Sequence, residues 1–372
     1  MAPLARGYIG GPLVSVPSLC EALVSTGVDV TLFCLDLPEE SSRNVTVRNF
    51  RRWQGPIFKE LSISRSLRRA THEVARSADV LHVHGMWQMP CVYPAGAVKR
   101  TECRLLASPR GSLSAAALGD SRRKRIFWRL AQRKLFERAD CIHATSSAEA
   151  EDSRRAGLTS PIAVIPNGIH MMPPPASITQ SSRRRIVYMG RLHAIKGLDL
   201  LMHAWAAMQD RSPEAELLVV GEGRPDDHRQ IESLVRKLGL RRVRFQPPVF
   251  GTAKSAILAE ASLLVLPSHS ENFGMVVAEA LSAGVPVAAS TGTPWQGLTE
   301  RRCGWWLERN VEAWAEALVS AATMPESDLR EMGVRGRRWM ESEFSWSRVA
   351  GMMTVTYRWL LGQAPQPVWV LT

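Results

Sequence analysis

Two glutamates that lie eight residues apart are the most informative residues of this 372-residue sequence. Glu271 and Glu279 flank Gly274 in the segment PSHSENFGMVVAEAL. The apolar residues 262–266 predict a buried strand before this segment, and the residues from Gly274 onward predict a helix. The first N–H groups of a helix lack internal partners and attract an anion, and two carboxylates can each hold sugar hydroxyls. The pattern therefore predicts a site for a nucleotide sugar.

Two cations upstream have the chemistry that such a site needs. Arg191 and Lys196 follow a predicted strand that ends at Gly190. When a sugar leaves a nucleoside diphosphate, negative charge grows on the leaving oxygen, and fixed cations stabilise that charge by several kcal/mol. Arginine offers a planar fork of donors, and lysine offers a point charge. The alternative is an ordinary surface loop with two unrelated cations.

Together these motifs resemble those of glycosyltransferase family 4, whose bacterial polysaccharide enzymes are retaining and have the GT-B fold. Glu271 and Glu279 match its E-x7-E motif, and Gly190-Arg191 with Lys196-Gly197 matches its second basic motif. The similarity covers roughly residues 10 to 360. The resemblance implies that Glu271 contacts hydroxyls of the donor sugar and that Glu279 contacts those of the ribose. It also places Gly10-Gly11, ahead of a helix predicted at residues 15–25, at the donor phosphates.

The candidate residues divide by role under this resemblance. The predicted catalytic residues are Glu271, Arg191, Lys196 and His84. The predicted donor-binding residues are Gly10, Gly11, Gly190, Phe273, Gly274, Met275 and Glu279. Arg110 is predicted to bind the acceptor. Because the sequence has no D-x-D motif, we expect transfer without a metal or another cofactor. No side chain stands out as a base, so we expect the leaving diphosphate to help remove the acceptor proton.

The roles of His84 and Arg110 are predicted from the ends of two successive strands. Alternation puts His82 and His84 on one face of a strand predicted at residues 80–84, and His84 lies nearer the following loop. Ligands collect at this edge of doubly wound sheets. A histidine pair also suggests a metal, although the sequence shows no third ligand, or simple hydrogen-bonded packing. Some relatives have a histidine after the next strand, where this chain has Arg110. Arg110 is therefore predicted to bind the acceptor or a phosphate.

Strand and helix patterns alternate along the whole chain, which is typical of doubly wound parallel sheets in the α/β class. Strands are predicted at residues 28–34, 80–84, 105–108, 141–145, 162–165, 186–189, 216–220, 243–246, 263–266 and 285–289. Residues 173–184 contain three consecutive prolines and no periodicity, which predicts a linker. We predict an acceptor-binding Rossmann-like domain at residues 1–172 and a donor-binding domain at 185–345. A helix at 346–372 would cross back to the first domain. In the GT-B architecture the two domains face each other across a cleft.

The N-terminus departs from the family pattern. A first strand normally precedes the glycine loop, but only nine residues precede Gly10 here, and residues 1–7 have no strand pattern. In doubly wound sheets this first strand lies at the centre. We therefore expect its two neighbours to lack a ladder partner. We also expect an upstream strand, encoded before Met1, to raise both stability and donor affinity.

The composition excludes several other classes of protein. A hydrophobic content of 45% is typical of a globular protein, and a chain of 372 residues suits two domains. No apolar stretch approaches the ~20 residues of a membrane span, and no signal-peptide pattern is present, which predicts a cytoplasmic protein. The six cysteines form no C-x-x-C pair. Neither a zinc site nor a disulfide framework is therefore indicated.

Positive charge is concentrated in the first half of the chain. Residues 1–180 contain 24 of the 47 lysines and arginines but only 15 of the 35 acidic residues. Much of this charge lies in Arg122–Lys134, where apolar residues recur at helical spacing among the cations. Such a helix can lie peripherally on an anionic membrane surface. It can equally be a solvated helix whose apolar face packs on the sheet. Nucleic acid is a third option for this charge, but no recognition motif accompanies it.

We therefore predict a retaining glycosyltransferase that moves a sugar from a nucleoside-diphosphate sugar to a glycan or lipid-linked acceptor, in cell-surface polysaccharide biosynthesis. A dinucleotide-dependent oxidoreductase is one alternative, but Gly221-Glu222-Gly223 lacks the third glycine of the G-x-G-x-x-G fingerprint. Another alternative is a truncated or degenerate membrane-associated protein that binds a sugar nucleotide without catalysis. Turnover of a nucleotide sugar separates this alternative from the main prediction.

Overall fold

The computed structural model describes residues 11–35, 45–53, 55, 61–119, 121–172 and 184–372, and the chain forms two compact units. Unit 1 comprises the residues up to Gly168 together with Trp346–Thr372. Unit 2 comprises Ile169–Ser345. The N-terminal segment with Gly10 lies outside the described residues. The predicted linker also lies outside them, except for its last residue, Arg184.

Each unit is built around parallel strands. Unit 1 contains β1 (Thr31–Leu35), β2 (Thr46–Phe50), β3 (Val80–His84), β4 (Arg104–Ser108), β5 (Cys141–Ala144), β6 (Ile162–Val164) and β13 (Val370–Leu371). Unit 2 contains β7 (Arg185–Met189), β8 (Glu216–Val220), β9 (Val243–Gln246), β10 (Leu263–Leu266), β11 (Val287–Ser290) and β12 (Gly304–Leu307). All the predicted strands are present, some with shifted ends. The sequence analysis missed β2, which is largely exposed, β12, which begins with a glycine, and the very short β13.

In unit 2 the described strands form one six-stranded parallel sheet in the order β12-β11-β10-β7-β8-β9. Alternate residues of β7 belong to opposite cores, with Val187 in one and Tyr188 in the other. One core is completed by helices Met275–Ser282 and Glu326–Glu343, and the other by Leu198–Met208 and Val311–Thr323. Both faces of the sheet are therefore covered, which confirms the doubly wound prediction for this unit.

In unit 1 the order of the five-stranded sheet is β13-β6-β5-β4-β3, and only β13 is antiparallel to its neighbour. Strands β1 and β2 form a separate parallel pair. Within the part of the chain that the structure describes, no strand links β1 to β3. The last long helix belongs to this unit, because its Trp346 and Met353 pack in one core with Leu19 and Leu106.

Helices connect the strands in both units. The remaining described helices of unit 1 are Pro12–Val24, Arg65–Val74, Tyr93–Ala97, Ala115–Leu118, Arg122–Phe127, Arg133–Arg138, Ser147–Arg155 and Trp346–Leu360. Those of unit 2 are Pro225–Lys237, Gly251–Ala259 and Gly297–Glu300. None of the helices described here has the length and apolar character that a membrane crossing requires.

The basic segment Arg122–Lys134 is helical, as predicted, but its pitch changes in the middle. Five residues, Trp128–Gln132, form a π-helical turn between two α-helical turns. The wider turn carries Gln132 into the interior, where its side chain is fully buried. There its Oε1 accepts a hydrogen bond from the N–H of Trp87 at 3.1 Å, and its Nε2 donates to the carbonyl of Cys91 at 3.3 Å. Helical periodicity alone does not predict such a bulge.

Candidate functional site

The two halves of the predicted donor site follow adjacent strands of unit 2. Strands β7 and β10 are hydrogen-bonded neighbours, so the loops at their carboxyl ends meet at one edge of the sheet. The first loop carries Arg191 and Lys196, and the second carries Glu271. The N–H of His269 donates to the carbonyl of Ile195 at 2.8 Å and thereby connects the loops.

Lys196 and Glu271 form an ion pair between Nζ and Oε1, and their side chains are only 16% and 12% exposed. The hydroxyl of Ser268 donates to the same carboxylate oxygen at 2.8 Å. An ion pair this shielded from water needs such additional hydrogen bonds to offset the cost of desolvation. The second oxygen of Glu271 has no partner among the described residues, so it is available to a hydroxyl of a ligand.

Two glycines allow the site loops to approach each other. Gly197 ends the short 3-10 turn Ala194–Lys196 with a φ of +68°, and a Cβ at this position would overlap the carbonyl oxygen of Pro267. Gly274 has a φ of +76°, and a Cβ there would press against Leu266. Both conformations are left-handed and favour glycine. They explain the glycines in the two sequence motifs.

The helix Met275–Ser282 begins directly after Gly274, as predicted. The N–H groups of Met275 and Val276 have no acceptor among the described residues and are therefore suited to a phosphate, whereas that of Val277 donates to the carbonyl of Gly274 at 2.9 Å. Phe273 is buried, and its carbonyl accepts a hydrogen bond from Nε1 of Trp295 at 2.5 Å. Trp295 is 1% exposed and packs in the core. This contact fixes the residue that leads into the helix.

Glu279, farther along the same helix, pairs with a residue that the sequence analysis missed. Nζ of Lys254 contacts Oε2 of Glu279, and the two side chains are 22% and 19% exposed. Lys254 lies on the helix Gly251–Ala259, where nothing in the local sequence distinguishes it from a surface lysine. The pair holds one oxygen of Glu279 in place and leaves Oε1 without a partner in the described part of unit 2.

Arg191 is exposed and makes no ion pair with any described residue. Its carbonyl accepts a hydrogen bond from the hydroxyl of Tyr188 at 2.8 Å, which anchors its backbone. The pKa of Tyr188 is raised, mainly by burial and further by the Glu271 carboxylate, while the Arg191 charge opposes the shift. Both charged groups therefore act on one buried hydroxyl. The N–H of Gly190 donates to Val220 at 3.0 Å.

In unit 1 the predicted pair of histidines belongs to a group of three. The rings of His82 and His84 are 4.0 Å apart, which confirms that they share a face of β3. The third member, His143 on β5, was missed by the sequence analysis. Nitrogen atoms of the three side chains lie within 4.8 Å of one another, close enough to hold a metal ion.

Hydrogen bonds already occupy most of these nitrogens. Nε2 of His143 is 2.9 Å from the carbonyl of Ile165, so it donates, and Nδ1 accepts from the hydroxyl of Ser108 at 2.8 Å. Ser108 in turn accepts from Nε2 of His82, and Nδ1 of His82 accepts from the hydroxyl of Tyr357, each at 2.8 Å. A metal ion would have to break this chain. The donor set therefore fits a hydrogen-bonded network better than a metal centre.

Burial keeps these histidines neutral. It is the main cause that lowers the pKa of His82 and of His84 well below the ordinary value, and that of His143 to about 3. The positive charge of Arg110 lowers all three pKa values further. The hydrogen-bond directions in the chain, which assume neutral rings, are consistent with these shifts.

Arg110 follows β4 and lies next to this network. It has a φ of +54°, which is unusual for a residue other than glycine. Its Nη1 donates to Oδ1 of Asn167 at 2.5 Å, and its Nη2 donates to Nδ1 of His84 at 3.0 Å. Burial lowers the pKa of Arg110 to about 10, and the Glu149 carboxylate opposes this shift.

Glu149 holds the backbone beside Arg110. The sequence predicts that Ser146 and Glu149 form a capping box, and the hydroxyl of Ser146 does accept from the N–H of Glu149 at 3.2 Å. The carboxylate accepts from the N–H groups of Gly111 at 2.5 Å and Thr145 at 2.6 Å.

The predicted glycine loop is described only in part. Gly11 immediately precedes the helix Pro12–Val24, which begins earlier than predicted. A Cβ at Gly11 would meet no atom within 4 Å. In the described structure nothing requires a glycine at this position, and its predicted role at the donor phosphates stays a prediction.

Two family models match the chain. The family model described as "Glycosyl transferase 4-like domain" matches residues 10–168, and the one described as "Glycosyl transferases group 1" matches residues 183–323. The D-inositol 3-phosphate glycosyltransferase of Salinispora arenicola is 27% identical, over 97% of this chain and 90% of the relative.

Two solved structures have a similar fold. Sucrose-phosphate synthase from Thermosynechococcus elongatus has a TM-score of 0.74 and 23% identity, covering 95% of this chain and 94% of its own. Anabaena Alr3699/HepE in complex with UDP-glucose has a TM-score of 0.72 and 17% identity, covering 95% of this chain and 98% of its own.

Proposed function

The chain belongs to the group 1 glycosyl transferases and has their α/β GT-B fold, and from this premise we propose that it is a retaining enzyme that uses a nucleoside-diphosphate sugar. The observation that carries the proposal is the ion pair of Lys196 and Glu271 beside the start of the helix Met275–Ser282. A cation, a carboxylate with a free oxygen and unpaired helix N–H groups together match a sugar diphosphate. The complex of HepE with UDP-glucose supports a donor of this class.

The residues of the donor site have different roles in the reaction. Arg191, Lys196 and the first N–H groups of the helix stabilise the charge that develops on the diphosphate. The free oxygen of Glu271 accepts a hydroxyl of the sugar, and that of Glu279 accepts a hydroxyl of the ribose. The bond from the anomeric carbon to the phosphate oxygen breaks, and the acceptor oxygen forms the new bond on the same face. The acceptor proton passes to the leaving phosphate.

His84 fits this scheme as a hydrogen-bond donor. Because the guanidinium of Arg110 carries only donors, Nδ1 of His84 must accept, and the ring proton is on Nε2. A neutral histidine in this form is not a base at Nε2, which supports the leaving diphosphate as the proton acceptor. We propose that the reaction uses neither a metal nor another cofactor.

Binding and turnover of nucleotide sugars test this function. UDP-, GDP- and ADP-sugars are compared by the shift of the melting temperature, since a ligand of the folded state raises stability by mass action. We expect one donor to stabilise the protein, and its turnover, with or without EDTA, to give a product of retained anomeric configuration. Stabilisation without turnover would favour a non-catalytic binding protein. Loss of turnover in EDTA, restored by a divalent metal, would contradict the metal-free scheme.

We further propose that the acceptor is a glycan or lipid-linked molecule of cell-surface polysaccharide biosynthesis, reached at the inner face of the cytoplasmic membrane. The support comes from the exposed face of the helical segment 122–134. Its exposed cations are Arg122, Arg123, Arg125, Arg129, Arg133 and Lys134. Ile126 and Leu130 lie exposed among them, at 57% and 72%. Exposed apolar side chains among cations are typical of a helix that lies on anionic lipid. Leu135 and Phe136 pack inward, so a packed inner face is also present.

The double variant Ile126→Glu/Leu130→Glu tests the membrane surface. The wild-type protein is expected to bind vesicles that contain acidic lipid. Binding should weaken as the salt concentration rises, because salt screens the attraction between exposed charges beyond ~8 Å at physiological ionic strength. The double variant should lose most of this binding in a sedimentation assay. Val334→Glu, at a residue of unit 2 that is 44% exposed, is the matched control and should bind normally. Equal binding to neutral vesicles, or none to acidic ones, would rule out this surface.

A further inference from the structure

Arg110 is a cation with no counter-charge bonded to it in the described structure. Its hydrogen bonds go to Asn167 and His84, which are both neutral acceptors. The nearby carboxylate of Glu149 is committed elsewhere, because its two oxygens accept from Gly111 and from Thr145. The guanidinium is thus held in a fixed orientation without being neutralised by an ion pair.

This arrangement is costly for a residue with a purely structural role. A charge that is partly removed from water is best stabilised by an ion pair, and neutral acceptors compensate it less well. The left-handed backbone at Arg110 adds strain, and the loop after β3 has the same feature at Trp87, with a φ of +69°. Residues in such conformations cluster at ligand sites. A neutral side chain could bridge His84 and Asn167 without a charge to neutralise.

Donor groups remain available beside this charge. A guanidinium has five N–H groups, and the bonds to Asn167 and His84 leave a second hydrogen on each terminal nitrogen. The ring proton of His84 is on Nε2, and this N–H has no acceptor among the residues described in unit 1. Arginine and a neutral histidine therefore present N–H groups and one positive charge, and the nearby Glu149 carboxylate makes no hydrogen bond to the guanidinium. A phosphate matches this set in charge and in hydrogen-bond acceptors.

We infer that Arg110 and His84 form the binding site for a phosphate group on the acceptor. The inference rests on the proposed function and deepens it, because it gives the acceptor a charge. The diphosphate of the donor is the other source of the same chemistry. We assign the site to the acceptor because unit 2 already supplies Arg191, Lys196 and a helix start for the donor phosphates.

Titration of the full chain with inorganic phosphate tests the site without any turnover. Phosphate at millimolar concentration is expected to raise the melting temperature of the wild type. Arg110→Gln should weaken this binding by at least about tenfold. Arg104→Gln is the matched control, because Arg104 begins β4, the strand that Arg110 follows, is half-exposed and pairs with Asp140 at 3.1 Å. It should bind phosphate normally. If Arg110→Gln fails to fold, Arg110→Lys keeps the charge, loses the planar fork and should also bind more weakly.

A parallel titration with UDP identifies the source of the anion. Unchanged UDP affinity in Arg110→Gln, together with lost phosphate binding, supports an acceptor phosphate. An equal loss of UDP and phosphate affinity would assign the site to the donor and overturn the inference. Phosphate binding that is absent in the wild type, or unaffected by Arg110→Gln, would overturn it as well. Failure of the proposed function would appear separately, as absent turnover of every nucleotide sugar, and would leave the phosphate titration unchanged.

Discussion

Lys196→Ala is expected to lower turnover of the nucleotide sugar by at least about tenfold, which corresponds to ~1.4 kcal/mol of barrier, in a protein that stays folded. The reason is that Lys196 would no longer stabilise the charge that develops on the leaving diphosphate. The variant also leaves Glu271 without its cation, although Ser268 still donates to the carboxylate. The measurement is kcat and kcat/KM with the donor that stabilises the wild type.

Lys237→Ala is the control for this variant. Lys237 is an exposed lysine at the end of the helix Pro225–Lys237 in the same unit, and none of the described acidic residues pairs with it. Its removal should leave both turnover and melting temperature unchanged. Wild-type rates in a folded Lys196→Ala protein would show that the ion pair is structural and would remove Lys196 from the mechanism.

The second large effect is expected for Gly197→Ala, as a loss of both stability and activity. The new Cβ would overlap the carbonyl oxygen of Pro267, in a backbone conformation with φ of +68°. Left-handed backbone costs an alanine about 1–2 kcal/mol, and the overlap adds about 1–3 kcal/mol. The loop would have to move away from Pro267, which would displace Lys196 from Glu271.

Gly239→Ala separates the two costs. Gly239 has a similar φ of +59°, but a Cβ there would meet no atom within 4 Å. This variant should therefore show only the backbone cost and keep its activity. Thermal unfolding of both proteins, with kcat measured where both are folded, gives the comparison. Equal losses of melting temperature and normal kcat in Gly197→Ala would mean that the close approach of the loops does not position the site.

The donor site was largely predictable because its residues occur in local motifs. Glu271 and Gly274 follow a buried strand, and Lys196 follows another, so the order of strand, loop and helix could be inferred from apolar patterning. The contact between Lys196 and Glu271 required the strand order. Residues 75 positions apart meet only because β7 and β10 are neighbours in the sheet. The resemblance to a family supplied that order.

Lys254 and His143 could not be found in the same way. Lys254 belongs to the site only because it forms an ion pair with Glu279 on another helix. A lysine on an ordinary helix gives no sign of such a contact in the local sequence. His143 did have one, because it lies near the carboxyl end of a correctly predicted strand. Its position corresponds to that of His84, since the preceding residues Val83 and Ile142 both pair with Ala107. Polar residues near the ends of strands two places apart in a sheet, such as β3 and β5, can contribute to one network.

The hydrogen-bonded chain from Tyr357 to Ile165 bears on how the protein folds as it leaves the ribosome. Tyr357 is on the helix Trp346–Leu360, which emerges only after the whole of unit 2 has been synthesised. Unit 2 is continuous in sequence and can fold as soon as it is complete. Unit 1 cannot complete its core at that stage, because the hydroxyl group that donates to His82 belongs to a residue 275 positions later in the chain. Until then, the polar atoms that belong in its centre, and the apolar surface that Trp346 and Met353 cover, remain open to water and to other nascent chains.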